Sequence, residues 1–187
     1  NNAGTYTAEL YDPTTGFWTA TGNPNQQRGY HTATLLYDGK VLIAGGLINT
    51  SGLTSAEVYD PVANSWTATG NEAPSRMPNN RATLMPDGKV LVVPGSAPAN
   101  GVSLYDPIAD LWTSGGALMQ GRNDPVTALL QDGQVLVAGG SSGDPFRTVE
   151  MLDAVGQIVM ASNRGAVSLT SAQAEGSLYV QNDASAI

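Results

Sequence analysis

The chain has 187 residues, a formal net charge of −8 and two lysines, and its length allows one domain with a buried core. An acidic surface of this kind is expected to repel nucleic acid and anionic membranes, because phosphate binding needs clustered Lys and Arg. There is no cysteine, which excludes disulfides, a thiolate nucleophile and sulfur-ligated metal sites.

The sequence shows no targeting or membrane signal. No apolar run approaches the roughly 18 residues of a membrane helix, so no membrane span is predicted. No signal peptide is recognisable, and a start at Asn1 instead of methionine is expected of a processed or partial chain. The low lysine content and the abundance of Thr, Asn and Ser favour an extracellular or cell-surface protein, from a bacterium.

Residues 5–22 contain two short segments, TYTAELYD and GFWTATG, in which large and small residues alternate. This pattern predicts two antiparallel strands. The same two segments return later as the second half of a longer unit. Residues 5–22 are therefore predicted to form half of that unit.

Residues 31–70 contain the complete unit, which is predicted to form four antiparallel strands. HTATLL precedes Asp38-Gly39, the dipeptide preferred by a two-residue type I′ hairpin, whose central residues have positive φ. KVLIA follows and stops at Gly45-Gly46. After a loop, SAEVYD is stopped by Pro61, and WTATG is the fourth strand. Four short strands in about 40 residues make one blade of a β-propeller.

The markers of this unit recur every 45–49 residues, and self-similarity at such a period indicates a propeller or a solenoid. Full blades are predicted over 31–70, 81–116 and 126–161. The markers are Tyr-Asp-Pro at Tyr11, Tyr59 and Tyr105, a tryptophan seven residues later at Trp18, Trp66 and Trp112, and the turn glycines Gly39, Gly88 and Gly133. Because they recur in blade after blade, the tyrosines and tryptophans are predicted to be structural.

The blade over 81–116 departs from the pattern at its second strand. Pro94 stands where the other blades have Gly45 and Gly139. Proline fixes φ at about −65°, so the backbone cannot match a glycine with positive φ. The loop that follows this strand is expected to differ from its equivalents.

Residues 164–187 align with the first two strands of a blade. Arg164-Gly165 falls on Arg28-Gly29, and SLYVQ falls on KVLIA. This degenerate half blade and the half blade 5–22 are predicted to join as a composite blade, which gives a four-bladed ring in a single domain, 1–187. The pattern also fits part of a larger six- or seven-bladed propeller, two chains sharing one ring, or a tail that is a separate β segment.

The succession DGKVLIAGG…SAEVYDP…W resembles a Kelch repeat. Its amino-acid sequence is most similar to those of secreted bacterial Kelch proteins and of the propeller of galactose oxidase-like enzymes. The resemblance covers residues 5 to about 153 and implies an all-β fold, a Kelch-type β-propeller. Galactose oxidase-like enzymes use two histidines, two tyrosines and a cysteine crosslinked to tyrosine to hold copper. That site cannot be carried over to a chain with one histidine and no cysteine, so we expect no cofactor and no metal site.

Four arginines occur 11 or 12 residues before the glycine of a turn; they are Arg28, Arg76, Arg122 and Arg164. Each precedes the inner strand of a blade, near a channel mouth, where a ring of guanidinium groups could bind a carboxylate or phosphate. The favoured alternative is structural. In that alternative each arginine pairs with backbone carbonyls or with an acid such as Glu9, Glu57 or Glu150.

His31 is the only histidine, and at the start of a strand beside Thr32 it is more easily explained as a hydrogen-bonded structural residue than as a catalyst. It is kept with the four arginines as a candidate ligand-binding residue. No catalytic triad can be assembled, so no catalytic residue is predicted.

The loops that differ between blades are where specificity would lie on a fixed scaffold; they are 47–54, 71–80, 97–101 and 141–147. The predicted function is a non-catalytic extracellular binding or adhesion module that holds a protein or glycan through these loops. One alternative is a structural subunit of a surface assembly, which would self-associate through an unpaired strand edge. A third is a fragment of a larger galactose oxidase-like enzyme.

Overall fold

The computed structural model describes residues 7–73, 79–143, 148–153 and 158–162, and these residues form strands and turns with no helix. The all-β prediction is therefore confirmed. The strands are β1 (Glu9–Asp12), β2 (Phe17–Ala20), β3 (Thr32–Leu35), β4 (Val41–Ala44), β5 (Leu47–Ile48), β6 (Ser51–Gly52), β7 (Ala56–Asp60), β8 (Ser65–Ala68), β9 (Arg81–Leu84), β10 (Val90–Val93), β11 (Gly101–Asp106), β12 (Leu111–Ala117), β13 (Val126–Leu129), β14 (Val135–Ala138), β15 (Val149–Leu152) and β16 (Ile158–Ser162).

The main strands form three four-stranded antiparallel sheets in simple sequential order: β3-β4-β7-β8, β9-β10-β11-β12 and β13-β14-β15-β16. We call them the first, middle and third blades. The pair β1-β2 forms a two-stranded sheet, the half blade, and β5-β6 is a small hairpin in a loop of the first blade. The first blade lies within the predicted range 31–70, whereas the middle and third blades end one residue beyond the predicted ranges 81–116 and 126–161, at Ala117 and Ser162. Residues 164–187 lie outside the described residues, so the composite blade, the number of blades and the extent of the domain stay predictions.

The first hairpin of each blade is closed by a three-residue loop, and the prediction of a two-residue type I′ turn is wrong. Leu36 N–H donates to the Lys40 carbonyl (2.8 Å), and Gly39 N–H donates to the Leu36 carbonyl (3.1 Å). Only the glycine has positive φ, 85° at Gly39. Asp38 keeps a negative φ. Its Oδ1 accepts the Lys40 N–H (3.1 Å), and this hydrogen bond between side chain and backbone stabilises the turn.

The Tyr-Asp-Pro motif builds the hairpin between the third and fourth strands in the first and middle blades. Tyr59 lies directly opposite Trp66 on the neighbouring strand, with ring centroids 4.9 Å apart. Asp60 Oδ1 accepts the N–H groups of Val62 (2.9 Å) and Ala63 (3.1 Å), so the carboxylate closes the turn. The same arrangement recurs at Tyr105 and Asp106. The structural interpretation of the motif is therefore confirmed.

The core lies between neighbouring blades. In β10 alternate residues face opposite sides, as the pleat of a strand requires. Val90 and Val92 join a buried cluster with Leu42 of the first blade, whereas Leu91 and Val93 join a second cluster with residues of the third blade. The run VLVV is therefore apolar throughout because both of its faces are covered.

The end of the second strand differs in the middle blade, as Pro94 predicts. Gly45 and Gly46 have φ of 60° and 89°, and Gly139 and Gly140 have φ of 64° and 86°. In the middle blade Gly95 does not have positive φ. The chain therefore leaves β10 in another direction, towards a loop that contains the cis peptide Ala97-Pro98.

Candidate functional site: the loop face

The long connections of the three blades lie at one edge of the fold. Because neighbouring strands are antiparallel, the second and fourth strands end where the first and third strands begin. The linkers between blades and the loops after each second strand therefore share one side, which we call the loop face. The Asp-Gly and Asp-Pro turns share the opposite side, the turn face. Specificity loops predicted at 47–54 and 97–101 lie on the loop face, and so do the described parts of 71–80 and 141–147.

Arg28 lies in the linker before the first blade and is buried beneath the loop face. Its Nη1 donates to the carbonyls of Gly45 (2.9 Å) and Ser55 (2.8 Å), and its Nη2 donates to Glu57 Oε1 (3.0 Å). The side chains of Arg28 and Glu57 are each 2% exposed. The guanidinium thus ties the end of β4 to the start of β7.

Arg122 has the same environment in the third blade. Its Nη1 donates to the carbonyls of Gly139 (2.9 Å) and Thr148 (3.1 Å), and its Nη2 donates to Glu150 Oε1 (2.6 Å). Both side chains of this ion pair are 1% exposed. For Arg28 and Arg122 the structure shows the pairing with backbone carbonyls and an acid that the sequence analysis favoured over ligand binding.

Each of these glutamates also fixes the preceding linker. Glu57 accepts the backbone N–H groups of Asn25 (2.6 Å) and Gln26 (3.0 Å), and Glu150 accepts the N–H of Met119 (2.8 Å). We call the arginine, the glutamate and these N–H groups a linker latch. Burial acts to raise the pKa of Glu57, but the hydrogen bonds from Asn25, Arg28 and Gln26 outweigh it and hold the pKa below its ordinary value of 4.5.

The middle blade lacks the glutamate of the latch. Ser103 occupies the position of Glu57 and Glu150, and its buried Oγ has no hydrogen-bond partner among the described residues. Arg76, the candidate arginine of this blade, lies outside the described residues, as does Arg164. The linker is held instead through Asn71, which accepts the Trp112 N–H (2.7 Å) and donates to the Trp112 carbonyl (3.1 Å).

His31 lies at the start of β3 on the loop face and is partly exposed. Partial burial of the ring and the nearby positive charge of Arg28 lower the pKa of His31 below its ordinary value of 6.5. A neutral imidazole is therefore favoured at neutral pH. Ligand binding by His31 and by the four arginines is not tested by these contacts and stays a prediction.

An open cavity of about 500 Å³ lies on the loop face between the middle and third blades. The described residues that line it are uncharged and include the loop residue Pro98, the linker residues Gln120 and Asn123, and Ser142. Asn123 is fixed because its Oδ1 accepts the Ala97 N–H (2.8 Å). Such a concavity offers amide and hydroxyl groups beside a proline ring.

Some parts of this face could not be found from the sequence. The cavity is formed by residues of two loops and a linker that are distant in the chain, and no motif marks them. The linker N–H groups that bind Glu57 and Glu150 were missed because any residue supplies a backbone N–H. The repeated spacing from Arg28 to Glu57 and from Arg122 to Glu150, 29 and 28 residues, is the signal that could have identified both latches.

The described part of the chain contains neither a metal-binding cluster of side chains nor a membrane-spanning helix. Residues 7–73, 79–143 and 148–153 hold no group of three or more His, Cys, Asp or Glu side chains that could ligate a metal ion. Within the same limits, no helix is long and apolar enough to cross a membrane.

Comparison with known proteins identifies the architecture. Residues 28–71, the first linker and first blade, match the family model described as the Kelch motif. Among solved structures, a fungal alcohol oxidase of the AA5 family in complex with copper matches with a TM-score of 0.67 and 22% sequence identity. A search of curated proteins gives no match.

The structural match covers 88% of this chain and 38% of the oxidase chain, so this chain spans well under half of that enzyme. At 22% identity the likeness shows the fold alone. Together with the Kelch motif it confirms that the fold is a Kelch-type β-propeller resembling that of galactose oxidase-like proteins.

Proposed function

We propose that this protein is a non-catalytic, extracellular binding or adhesion module whose loop face holds a protein or glycan ligand. The observation that carries the proposal is the division of the connections between two faces. Turns of repeated sequence occupy the turn face, whereas loops that differ in length and composition occupy the loop face. A rigid scaffold with variable loops on one side is the arrangement on which binding sites are commonly built.

The linker latches support a binding role because they stabilise the loop face without blocking it. The Arg28–Glu57 and Arg122–Glu150 pairs lie beneath the surface and fix both the linkers and the strand ends. Loops that are fixed at their ends lose less conformational entropy when they bind a ligand. The uncharged cavity beside Asn123 is the site we assign to a neutral, hydroxyl-bearing ligand group.

A non-catalytic role is supported by what the candidate residues do. The guanidinium groups of Arg28 and Arg122 are directed at protein groups beneath the surface. A catalytic acid or base has to reach a bound substrate, and histidine most often has this role. His31 is the only histidine in the sequence.

The test is a screen of the purified chain against a glycan array and a peptide display library, followed by variants of each face. Tyr30→Asn changes a loop-face side chain that is 76% exposed, and asparagine tolerates its φ of 54°. Gln120→Arg changes the cavity lining. Val62→Asn is the control on the turn face, where the side chain is 96% exposed.

We expect at least one member of the array or library to bind. At least one of the two loop-face variants should lower the affinity for that ligand by tenfold or more, the loss typical of an important contact residue. Val62→Asn should bind as the parent chain does. No binding at all, or a loss confined to Val62→Asn, would contradict the proposal.

A structural subunit is the second candidate, and the half blade is the observation that favours it. Its aromatic side chains Tyr11, Phe17 and Trp18 are exposed. Exposed apolar surface beside an open strand edge is a common route to association between chains. Sedimentation of the protein over a range of concentrations tests this, because a structural subunit assembles and a binding module stays monomeric.

A further inference from the structure

A groove with a volume of about 300 Å³ lies between the first and middle blades and opens beside the turns of the turn face. We call it the turn-face groove. Its lining includes Val58 and Thr67 of the first blade, and Tyr105 and Pro107 of the middle blade. The groove is distinct from the cavity beside Asn123, which lies on the loop face at the other ends of the strands.

Three aspartates line the turn-face groove, each from a different turn: Asp38, Asp60 and Asp110. One oxygen of each carboxylate stabilises its own turn. Oδ1 of Asp38 and of Asp60 accepts backbone N–H groups, and Oδ1 of Asp110 accepts the Tyr105 hydroxyl (2.8 Å). The second oxygen, Oδ2, is not used in these turns.

Lys40 is the one cationic side chain among the described residues that line the groove. Its Nζ is 3.6 Å from Asp60 Oδ2 and 3.9 Å from Asp38 Oδ2, which is too long for a hydrogen bond. All three side chains are at least 33% exposed, so water screens these ion pairs. Three carboxylates against one ammonium leave the described lining with a net charge of −2.

The negative charge of Asp110 exceeds what its turn requires. Asn64 has the equivalent position in the first blade, and both residues have a φ of 49°. The Tyr59 hydroxyl donates to Asn64 Oδ1 (3.0 Å), as the Tyr105 hydroxyl donates to Asp110 Oδ1. A neutral amide therefore closes this turn as a carboxylate does. Burial raises the pKa of Tyr105 above its ordinary value of 10, and the hydrogen bond and charge of Asp110 raise it further, in keeping with a negative potential in the groove.

The groove suits an extended cationic chain better than a metal ion. Within the part of the chain that the structure describes, no group of three or more acidic side chains could hold a metal ion. Ile108, in the same turn as Pro107 and Asp110, is 94% exposed and offers an apolar contact beside the charges. Lys and Arg side chains join a cationic head to an apolar stem, which matches carboxylates beside apolar lining residues.

We propose that the turn-face groove binds a basic segment of a partner protein. Lys or Arg side chains of the segment pair with Asp38, Asp60 and Asp110, and an adjacent apolar side chain contacts Ile108. Complementary charge speeds the association and fixes the orientation of the segment. The site does not depend on the loop-face ligand, because the two sites lie at opposite ends of the strands.

A labelled synthetic peptide, GSKLKSKLKSG, tests the proposal by fluorescence anisotropy with the intact chain at low ionic strength. The matched probe, GSQLQSQLQSG, has glutamine in place of each lysine. We expect the lysine peptide to bind one to one and about tenfold or more tightly than the glutamine peptide. Similar affinities of the two peptides, or no binding of the lysine peptide, would overturn the proposal.

Two substitutions in the groove should change the affinity in opposite directions. Asp110→Asn removes a charge but keeps the acceptor, as Asn64 does, and should weaken binding about threefold, whereas Lys40→Gln removes a competing ammonium and should strengthen it about threefold. Asp87→Asn and Lys89→Gln are the matched controls, since they alter the equivalent exposed pair of the middle blade outside the groove. Changes of the same size in the controls would indicate attraction to the acidic surface in general and would overturn the site.

The last variant and two competitors distinguish a protein segment from a small cation. Ile108→Ser should weaken the lysine peptide about threefold but leave unchanged a peptide with serine in place of each leucine. Equal effects on the two peptides would remove Ile108 from the site. Displacement of the peptide by spermidine or Ca²⁺, at concentrations where NaCl of the same ionic strength does not displace it, would identify a small cation as the occupant and overturn the proposal.

Discussion

At the scale of single residues, Glu57 and Glu150 explain how a charge can be buried in this fold. Each carboxylate receives an arginine and at least one linker N–H, so its desolvation is offset by hydrogen bonds from charged and neutral donors. The arginine in turn donates to backbone carbonyls at the ends of two strands. Removal of either partner leaves the other charge buried.

Arg122→Met is therefore expected to lower the free energy of unfolding by about 3–5 kcal/mol, because Glu150 loses its partner. Urea unfolding measures the loss. Arg81→Met is the matched control, since the Arg81–Asp124 pair is exposed and 3.5 Å long, and it should cost less than about 1 kcal/mol. Similar losses in the two variants would show that Arg122 is not a structural ion-pair residue.

Glu57 also gives the protein a predictable response to acid. Its pKa in the folded state lies below the ordinary value of 4.5, so the ionised carboxylate contributes stability above that pH. The contribution is lost as the pH falls below 4.5 and through the lowered pKa of the folded protein. Unfolding free energies measured on both sides of this range should fall towards acid. Glu57→Gln should show a weaker fall, and an identical pH dependence would contradict the assignment.

The sequence predicted part of this residue-level picture. The sequence analysis favoured pairing of the arginines with backbone carbonyls or with an acid such as Glu9, Glu57 or Glu150, and the structure shows such pairs for Arg28 and Arg122. The middle blade shows the limit of that reasoning. There Ser103 replaces the glutamate and Asn71 holds the linker, and neither exchange belongs to a repeating pattern.

At the scale of strands and turns, short hairpins repeat because the residues that close them repeat. The strands were predictable from β-branched residues and their bounding glycines and prolines. The type of the first turn was not, because Asp-Gly is compatible with both two-residue and three-residue loops. The choice depends on whether the aspartate caps the turn from a negative φ, as Asp38 does.

Two glycines with the same φ of 86° should differ in their tolerance of a side chain. Gly133→Ala is expected to cost about 1–2 kcal/mol, the penalty of a left-handed alanine, since the nearest atom to its Cβ is 3.7 Å away. Gly140→Ala should cost more, because its Cβ would lie 2.6 Å from the Asn123 carbonyl oxygen. The free energy of unfolding of both variants is measured in urea. Equal losses would mean that the backbone at Asn123 moves away from the added methyl group at no cost in stability.

At the scale of the whole molecule, the blades are held together by apolar faces and by side chains of the linkers. β10 is buried on both faces by its neighbours. Trp112, at the outer strand of the middle blade, is bound by Asn71 through both its N–H and its carbonyl. The repeating motifs of the sequence predicted the propeller, but these joints depend on which linker residue contacts which strand.

Asn71→Ala is expected to increase hydrogen exchange at the Trp112 amide by about tenfold or more, because that N–H donates to Asn71 Oδ1. The amide of Leu104, inside the sheet of the same blade, should keep its exchange rate. Exchange resolved by residue in NMR spectra measures both. An increase of the same size at both amides would indicate general loosening of the blade instead of a lost joint.

The separation of the two faces has a consequence for how such a chain can be altered. The chain enters each blade and leaves it on the loop face, so a longer connection there changes neither the strand register nor the contacts between blades. The entropic cost of extra loop residues also grows slowly with loop length. The turn face has no such freedom, since each of its turns is closed by a named carboxylate or a left-handed glycine. Foreign peptides grafted between Ile48 and Ser51 should therefore be displayed without disturbing the blades, so that one scaffold can carry many recognition sequences.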